Sequence, residues 1–125
     1  MSYHEVEQNA AGEIVVREVP IEWAEMPSEG SDPSHGAATA PCPVSESSQA
    51  SLMLTRIEPR GHILEHAGPV DGVVFIMSGS GDLGLPGREA LPFRAGDIIL
   101  LKAGTPHSWD GRGDETVLMG IAVLG

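Results

Sequence analysis

Three histidines in the second half of the chain, His62, His66 and His107, are the residues best suited to chemistry. A neutral imidazole can ligate a metal, act as acid or base, or form an ordinary hydrogen bond. His62 and His66 share strand parity, so one face of an extended segment would present both. Four residues of strand separate their Cα atoms by about 13 Å, whereas a zinc–nitrogen bond is only about 2.0–2.1 Å. A shared ion therefore needs both rings to lean together, or a β-bulge near Glu65 that shortens the span. Glu65 has the opposite parity and points away in a regular strand. Asp71 is a carboxylate that only a shifted loop register would bring to the same place. His107 follows the turn Ala103-Gly104-Thr105-Pro106, and alternation sets it on one face with Trp109, with Ser108 on the other. Trp109, Val74 and Ile76 are the candidate substrate contacts.

These side chains need short strands to hold them, and the sequence supplies such strands at regular spacing. Residues 51–57 form one, ended by Glu58-Pro59-Arg60-Gly61; residues 62–66, 73–78 and 82–85 form others, each closed by glycine or proline. Residues 98–101 and 116–123 complete the series. Gly96-Asp97 makes a tight entry to the former, because glycine tolerates unusual backbone angles and aspartate can bond nearby backbone. No segment sustains a 3.6-residue apolar period, so few or no helices are expected. Sixteen glycines and ten prolines in 125 residues point the same way. The expectation is an all-β sandwich or barrel built around one core.

Three zones differ in composition. Residues 1–27 include Glu13-Ile14-Val15-Val16-Arg17-Glu18-Val19, a strand ended by Pro20, and a further extended piece near residues 21–26. These N-terminal strands are expected to complete the barrel or to exchange between two copies. Trp23 there reads as a packing residue. Residues 28–50 are rich in Ser, Ala, Pro, Gly and acidic residues and read as a long loop, either mobile or draped over the domain. His35 lies in it as a solvated side chain, and Cys42 sits in a stiff, exposed Pro-Cys-Pro segment. Residues 51–125 form the core. One cysteine permits no internal disulfide and fits a reducing compartment.

A net charge of −11, with seven scattered basic residues, argues against nucleic acid as a partner. The longest apolar runs are too short to span a bilayer, and the first residues carry no basic, apolar leader pattern. The expectations are no membrane and a cytoplasmic location. Residues 73–77 are apolar on both faces, and so short a chain supplies little to cover them, which points to a homodimer.

The segment Gly96-Asp97-Ile98-Ile99-Leu100-Leu101-Lys102-Ala103-Gly104-Thr105-Pro106-His107 resembles the second motif of the cupin family. That motif runs Gly-Asp, a four-residue apolar strand, Pro-x-Gly, two residues, then a metal-binding histidine. Lys102 replaces the proline, and Gly111 replaces the family's closing asparagine. The first cupin motif has Gly, five residues, His-x-His, three or four residues, Glu, six residues, Gly. Counted back from Gly79, its glutamate position falls on Gly72 and its histidine pair on His66 and Gly68. The resemblance spans roughly residues 59–111. It implies a jelly-roll β-barrel of two antiparallel sheets and a divalent metal inside.

Three functional readings remain open. In the first, His66, His107 and His62 hold one divalent transition metal (zinc, iron, nickel, copper or manganese), with open positions for oxygenase, isomerase or lyase chemistry on a small molecule. In the second, a metal-free barrel binds a small-molecule ligand in its apolar interior. In the third, the barrel is a dimeric interaction module without catalysis.

Overall fold

The computed structural model describes residues 1–27, 30–44 and 50–124. Its elements are eleven strands: β1 (Tyr3–Gln8), β2 (Ile14–Val19), β3 (Ala24–Glu25), β4 (His35–Cys42), β5 (Ser51–His66), β6 (Gly72–Ser78), β7 (Ser80–Gly84), β8 (Leu91–Arg94), β9 (Ile98–Leu101), β10 (His107–Arg112) and β11 (Val117–Val123). Among the described residues no helix is long and apolar enough to cross a membrane. The strands curl into a jelly-roll barrel, as the strand spacing predicts.

β5 is the strand on which both walls are built. Residues 51–57 pair with β4 on one side and β11 on the other. β11 continues to β6, and β6 to β9. Beyond a corner at residues 58–61, the end of β5 pairs with β10, followed by β7 and β8. The two expected strands at 51–57 and 62–66 are thus one bent strand. At the corner Arg60 takes a left-handed φ of 63°. Gly61 packs so tightly that a Cβ there would lie 2.5 Å from Gly36 O and 2.7 Å from Ile57 Cγ2.

The far edges meet through the turn after β8. Ile76 N–H donates to Asp97 O (2.9 Å), Gly96 N–H to Ile76 O (2.8 Å) and Ala95 N–H to Gly79 O (3.0 Å). Asp97 Oδ2 accepts from Arg94 N–H (3.0 Å), and Gly96 has φ 95°, so the Gly-Asp turn forms as its chemistry suggests. Inward side chains from both walls, among them Ile57, Ile63, Leu83, Phe93, Val117 and Met119, make the core. Full burial of a side chain such as Ile57 is worth about 1.5–3 kcal/mol.

The structure corrects the N-terminal half. Residues 35–42, expected within a loop, form β4, and Ala37, Ala38, Ala40 and Cys42 are buried. Alanine has low strand propensity, so the segment carries little β signal; its small side chains instead let it lie close against β5. Cys42 is accordingly buried, and burial raises its thiol pKa. Positions 28–29 and 45–49 of the expected loop lie outside the described residues. β1 and β2 do not complete the barrel: they form a separate two-stranded sheet, Val6 opposite Val16 and Gln8 opposite Ile14. Only β3 joins the wall, at the edge of β4. Trp23 packs near Ala40, Cys42 and Leu54, with the Arg56 guanidinium 4.6 Å over its ring.

The Gly61 corner yields a direct test. Gly61→Ala should destabilise the fold by about 1–3 kcal/mol, because its Cβ meets backbone on one side and Ile57 on the other. Chemical denaturation measures it, and an unchanged midpoint would refute the shared-strand corner.

Candidate functional site

A second irregularity in β5 decides which histidine faces inward. His66 pairs with His107, but Ile63 pairs with Trp109, so β5 spends three residues where β10 spends two. This is a β-bulge at Leu64-Glu65. The bulge inverts the parity that a regular strand would keep. His66 turns to the face of Ile63, His107 and Trp109, while His62 stays opposite Asp110 on the outer side. The expected sharing of an ion by His62 and His66 therefore fails. A bulge does form beside Glu65, but it separates the two side chains.

His66 and His107 come together, with ring centroids 4.4 Å apart. The Nδ1 atoms contact backbone carbonyls two residues upstream: His66 Nδ1 to Leu64 O (2.9 Å) and His107 Nδ1 to Thr105 O (2.9 Å). A carbonyl only accepts, so each Nδ1 carries the proton and each Nε2 keeps a lone pair. Trp109 stands edge-on to His107 at 5.8 Å and to Phe93 at 5.5 Å. His107 is buried, and burial pushes its pKa below the ordinary value. The Thr105 carbonyl opposes that shift, nearby His66 adds to it, and Glu65 opposes it again.

The two rings border a cavity of about 230 Å³ inside the barrel, walled chiefly by Met53, Val74, Leu101, Trp109, Ile121 and Val123. Val74 and Trp109, two of the candidate substrate contacts, line it. Ile76 does not: it is buried in the core below. Ile121 and Val123 were legible from alternation along β11 once Val117 and Met119 point inward. The rim is tied by hydrogen bonds. Gly104 N–H donates to Gly68 O (2.8 Å) and Ala103 N–H to Asp71 Oδ1 (2.8 Å). Asp71 Oδ2 lies 3.3 Å from Lys102 Nζ. The Ala103 bond and then Lys102 hold the Asp71 pKa below the usual carboxylate range. Asp71 joins two loops.

His62 has a different role. Its Nδ1 lies 2.7 Å from Asp110 Oδ1, and its Nε2 is 2.9 Å from Asp32 Oδ1, an ion-pair contact without a well-aligned hydrogen bond. Burial lowers its pKa, but the two carboxylates together outweigh burial and raise it. His35 is exposed and starts β4 opposite His62, the rings 5.8 Å apart. Ser34 Oγ accepts from Leu64 N–H (3.0 Å). His62 thus fastens the chain before β4 to the barrel.

The chain matches the family model described as cupin domain over residues 53–124. It belongs to the cupin family. Among solved structures, a cupin 2 conserved barrel domain protein from Rhodopseudomonas palustris is similar at TM-score 0.72 and 15% identity, over 97% of this chain and 80% of that one. The polyketide cyclase RemF from Streptomyces resistomycificus gives TM-score 0.69 and 16% identity, over 82% and 72%. A predicted oxalate decarboxylase from Thermotoga maritima gives 0.68 and 17%, over 83% and 90%. A comparison with curated protein sequences finds no match.

The metal that the family implies is tested by the donor set. Among the described residues no three His, Cys, Asp or Glu side chains are grouped to hold an ion. His66 and His107 stand at two of the four ligand positions. The other two are Gly68 and Gly72, which border the same cavity and offer no side-chain donor. With His62 turned outward, the residues present do not fit a metal held by three or more protein ligands.

The donor count and the His62 ion pairs can each be tested. A Cβ at Gly68 would lie 3.5 Å from Val70 O, and one at Gly72 would lie 4.0 Å from Ala122 O, both ordinary contacts. The double variant Gly68→His, Gly72→Glu should therefore gain about one equivalent of zinc or nickel by elemental analysis, where the parent holds little. Equal metal in both proteins would contradict this donor count. For His62, a raised folded pKa means its ion pairs contribute fully below the unfolded value of about 6.5 and fade as pH rises through the folded value. The stability lost in His62→Gln should be largest below about pH 6.5 and shrink above the raised pKa. A penalty independent of pH in denaturation curves would remove the ion-pair account.

Proposed function

We propose that this cupin binds a small, largely apolar molecule bearing a hydroxyl or N–H donor, without a metal, and that the His66–His107 pair reads that donor. The observation carrying the proposal is the pair of Nε2 lone pairs presented at an apolar cavity, with each tautomer held by a backbone carbonyl. A polyketide cyclase and a predicted oxalate decarboxylase carry similar barrels, so the barrel alone does not select the chemistry.

Apolar walls supply affinity by removing ligand surface from water, while a few placed polar groups set orientation. A phenol or enol hydroxyl donates to one Nε2, and an apolar body lies against Trp109 and Val74. His107, with its lowered pKa, stays neutral at physiological pH and can accept a proton. His66, one ring away, can take up the proton or return it to another atom of the ligand. This arrangement suits isomerisation or elimination through a proton shift. Binding is the first function, and proton transfer is what the pair adds to it.

A matched pair of probes tests this reading. 2-Naphthol should bind more tightly than naphthalene, followed by quenching of tryptophan fluorescence, and EDTA should leave binding unchanged. His107→Phe should abolish the preference for the hydroxyl, a loss of about 5- to 10-fold for one hydrogen bond. Affinity should be flat above about pH 6.5 and fall on acidification through the depressed His107 pKa, because protonation removes the acceptor. Equal binding of both probes, or binding only after zinc is added, would overturn the proposal.

A further inference from the structure

Leu64 sits between two hydrogen bonds, and both bear on His66. Its N–H donates to Ser34 Oγ (3.0 Å), and its carbonyl accepts from His66 Nδ1 (2.9 Å). The bulge makes Leu64 depend on such partners, because an added residue disrupts the strand ladder around it. On the β4 side the register stops at the His35–His62 pair. Ser34 comes just before that pair and is only 2% exposed, so its hydroxyl supplies an acceptor where backbone pairing has run out.

Ser34 is held in that position from both sides. Two residues earlier, Asp32 Oδ1 lies 2.9 Å from His62 Nε2, and Pro33 between them has a fixed φ. Two residues later, Gly36 packs against Gly61, and its carbonyl oxygen is the atom that a Cβ at Gly61 would strike. The stretch from Asp32 to Gly36 is thus tied to β5 at each end, with the Ser34 hydroxyl directed at the bulge between them.

The two histidines of the site differ in how firmly their tautomers are set. His107 is buried, with Nδ1 on the Thr105 carbonyl of its own turn. His66 is exposed, and it borders both the cavity and a groove of about 310 Å³ that Met26, Ser34, Thr39 and Leu64 also line. Water reaching an exposed ring bonds either nitrogen, so burial does not choose the His66 tautomer. The bond from Nδ1 to Leu64 O chooses it, and that carbonyl keeps its place only while the bulge keeps its shape.

We infer that Ser34 is a positioning residue for the ligand site: through the Leu64 bulge it holds the proton on His66 Nδ1 and so keeps an acceptor at Nε2. The ligand part of this inference rests on the binding role proposed above, while the tautomer part stands without it. A side chain that never touches the ligand thereby sets what the ligand must offer. With Ser34 in place both imidazoles accept. Without it, His66 is released to present an N–H, and the site then takes a ligand acceptor as readily as a donor.

Nitrogen NMR of the full chain at about pH 8, above the ordinary imidazole pKa of about 6.5, reads both tautomers directly. In the parent, His66 and His107 should each show a protonated Nδ1 and a bare Nε2. In Ser34→Ala the two His66 nitrogens should move toward each other or exchange places, while those of His107 stay. The same variant should lower the preference for 2-naphthol over 2-methoxynaphthalene by about 2- to 5-fold, the weight of one ordinary hydrogen bond, with naphthalene bound as before. Unchanged His66 shifts in Ser34→Ala would overturn the inference. Should that variant fail to fold, hydrogen exchange in the parent decides: the Leu64 amide should be protected, and exchange at the rate of an unstructured chain would equally overturn it. A parent with no preference for the hydroxyl, whose His66 shifts still depend on Ser34, would remove the ligand role and support the tautomer assignment.

Discussion

Both walls of the barrel hang on β5, and its backbone cannot run straight through them. To serve β4 and β11 first and β10 afterwards, the strand turns at residues 58–61, where Gly61 approaches the backbone of Gly36 too closely for any side chain. The added residue at Leu64-Glu65 then rotates the end of the strand by one position. That rotation puts His66 beside His107 and leaves His62 outside with two carboxylates. The site is thus a consequence of strand geometry. On a regular strand His62 and His66 would share one face.

The polar groups around the cavity have divided tasks. Asp71 and the Gly68 and Gly104 backbones tie the rim loops together. His62 with Asp32 fastens the segment before β4 from outside. Of these groups only Gly68 borders the cavity, which His66, His107, Lys102 and Thr105 line as well. The carboxylates of Asp71 at the rim and of Asp32 and Asp110 on the outer side are engaged with donors there.

Much of the barrel was legible because glycine and proline mark turns chemically. The Gly96-Asp97 entry, the β9 strand and the delivery of His107 beside Trp109 all follow from local residue types. β4 was not legible, since alanine-rich sequence gains its strand from packing against β5 and carries no period of its own. β8, with one buried residue in four, gave as little signal. The pairing of His66 with His107 was readable from the two motifs. The outward turn of His62 was not, because a bulge is a property of two paired strands and leaves parity in either sequence unchanged. The neighbours of the cavity on β11 could have been named by counting alternate residues.

The two Nδ1 hydrogen bonds have a consequence for the medium inside the barrel. With the Nδ1 atoms of both rings held by the Leu64 and Thr105 carbonyls, the neutral rings offer acceptors at a largely apolar cavity, His107 buried and His66 exposed. Such an interior resembles a droplet of ether more than one of alcohol. Under the proposed ligand-binding role, partitioning into it would follow the hydrogen-bond acidity of the solute, with phenols favoured over their methyl ethers and acidic N–H heterocycles over carbonyl compounds of the same size. A ketone of the right shape would find its oxygen facing electron pairs. The barrel would then sort molecules by what they can give up, with shape setting only the limit on size.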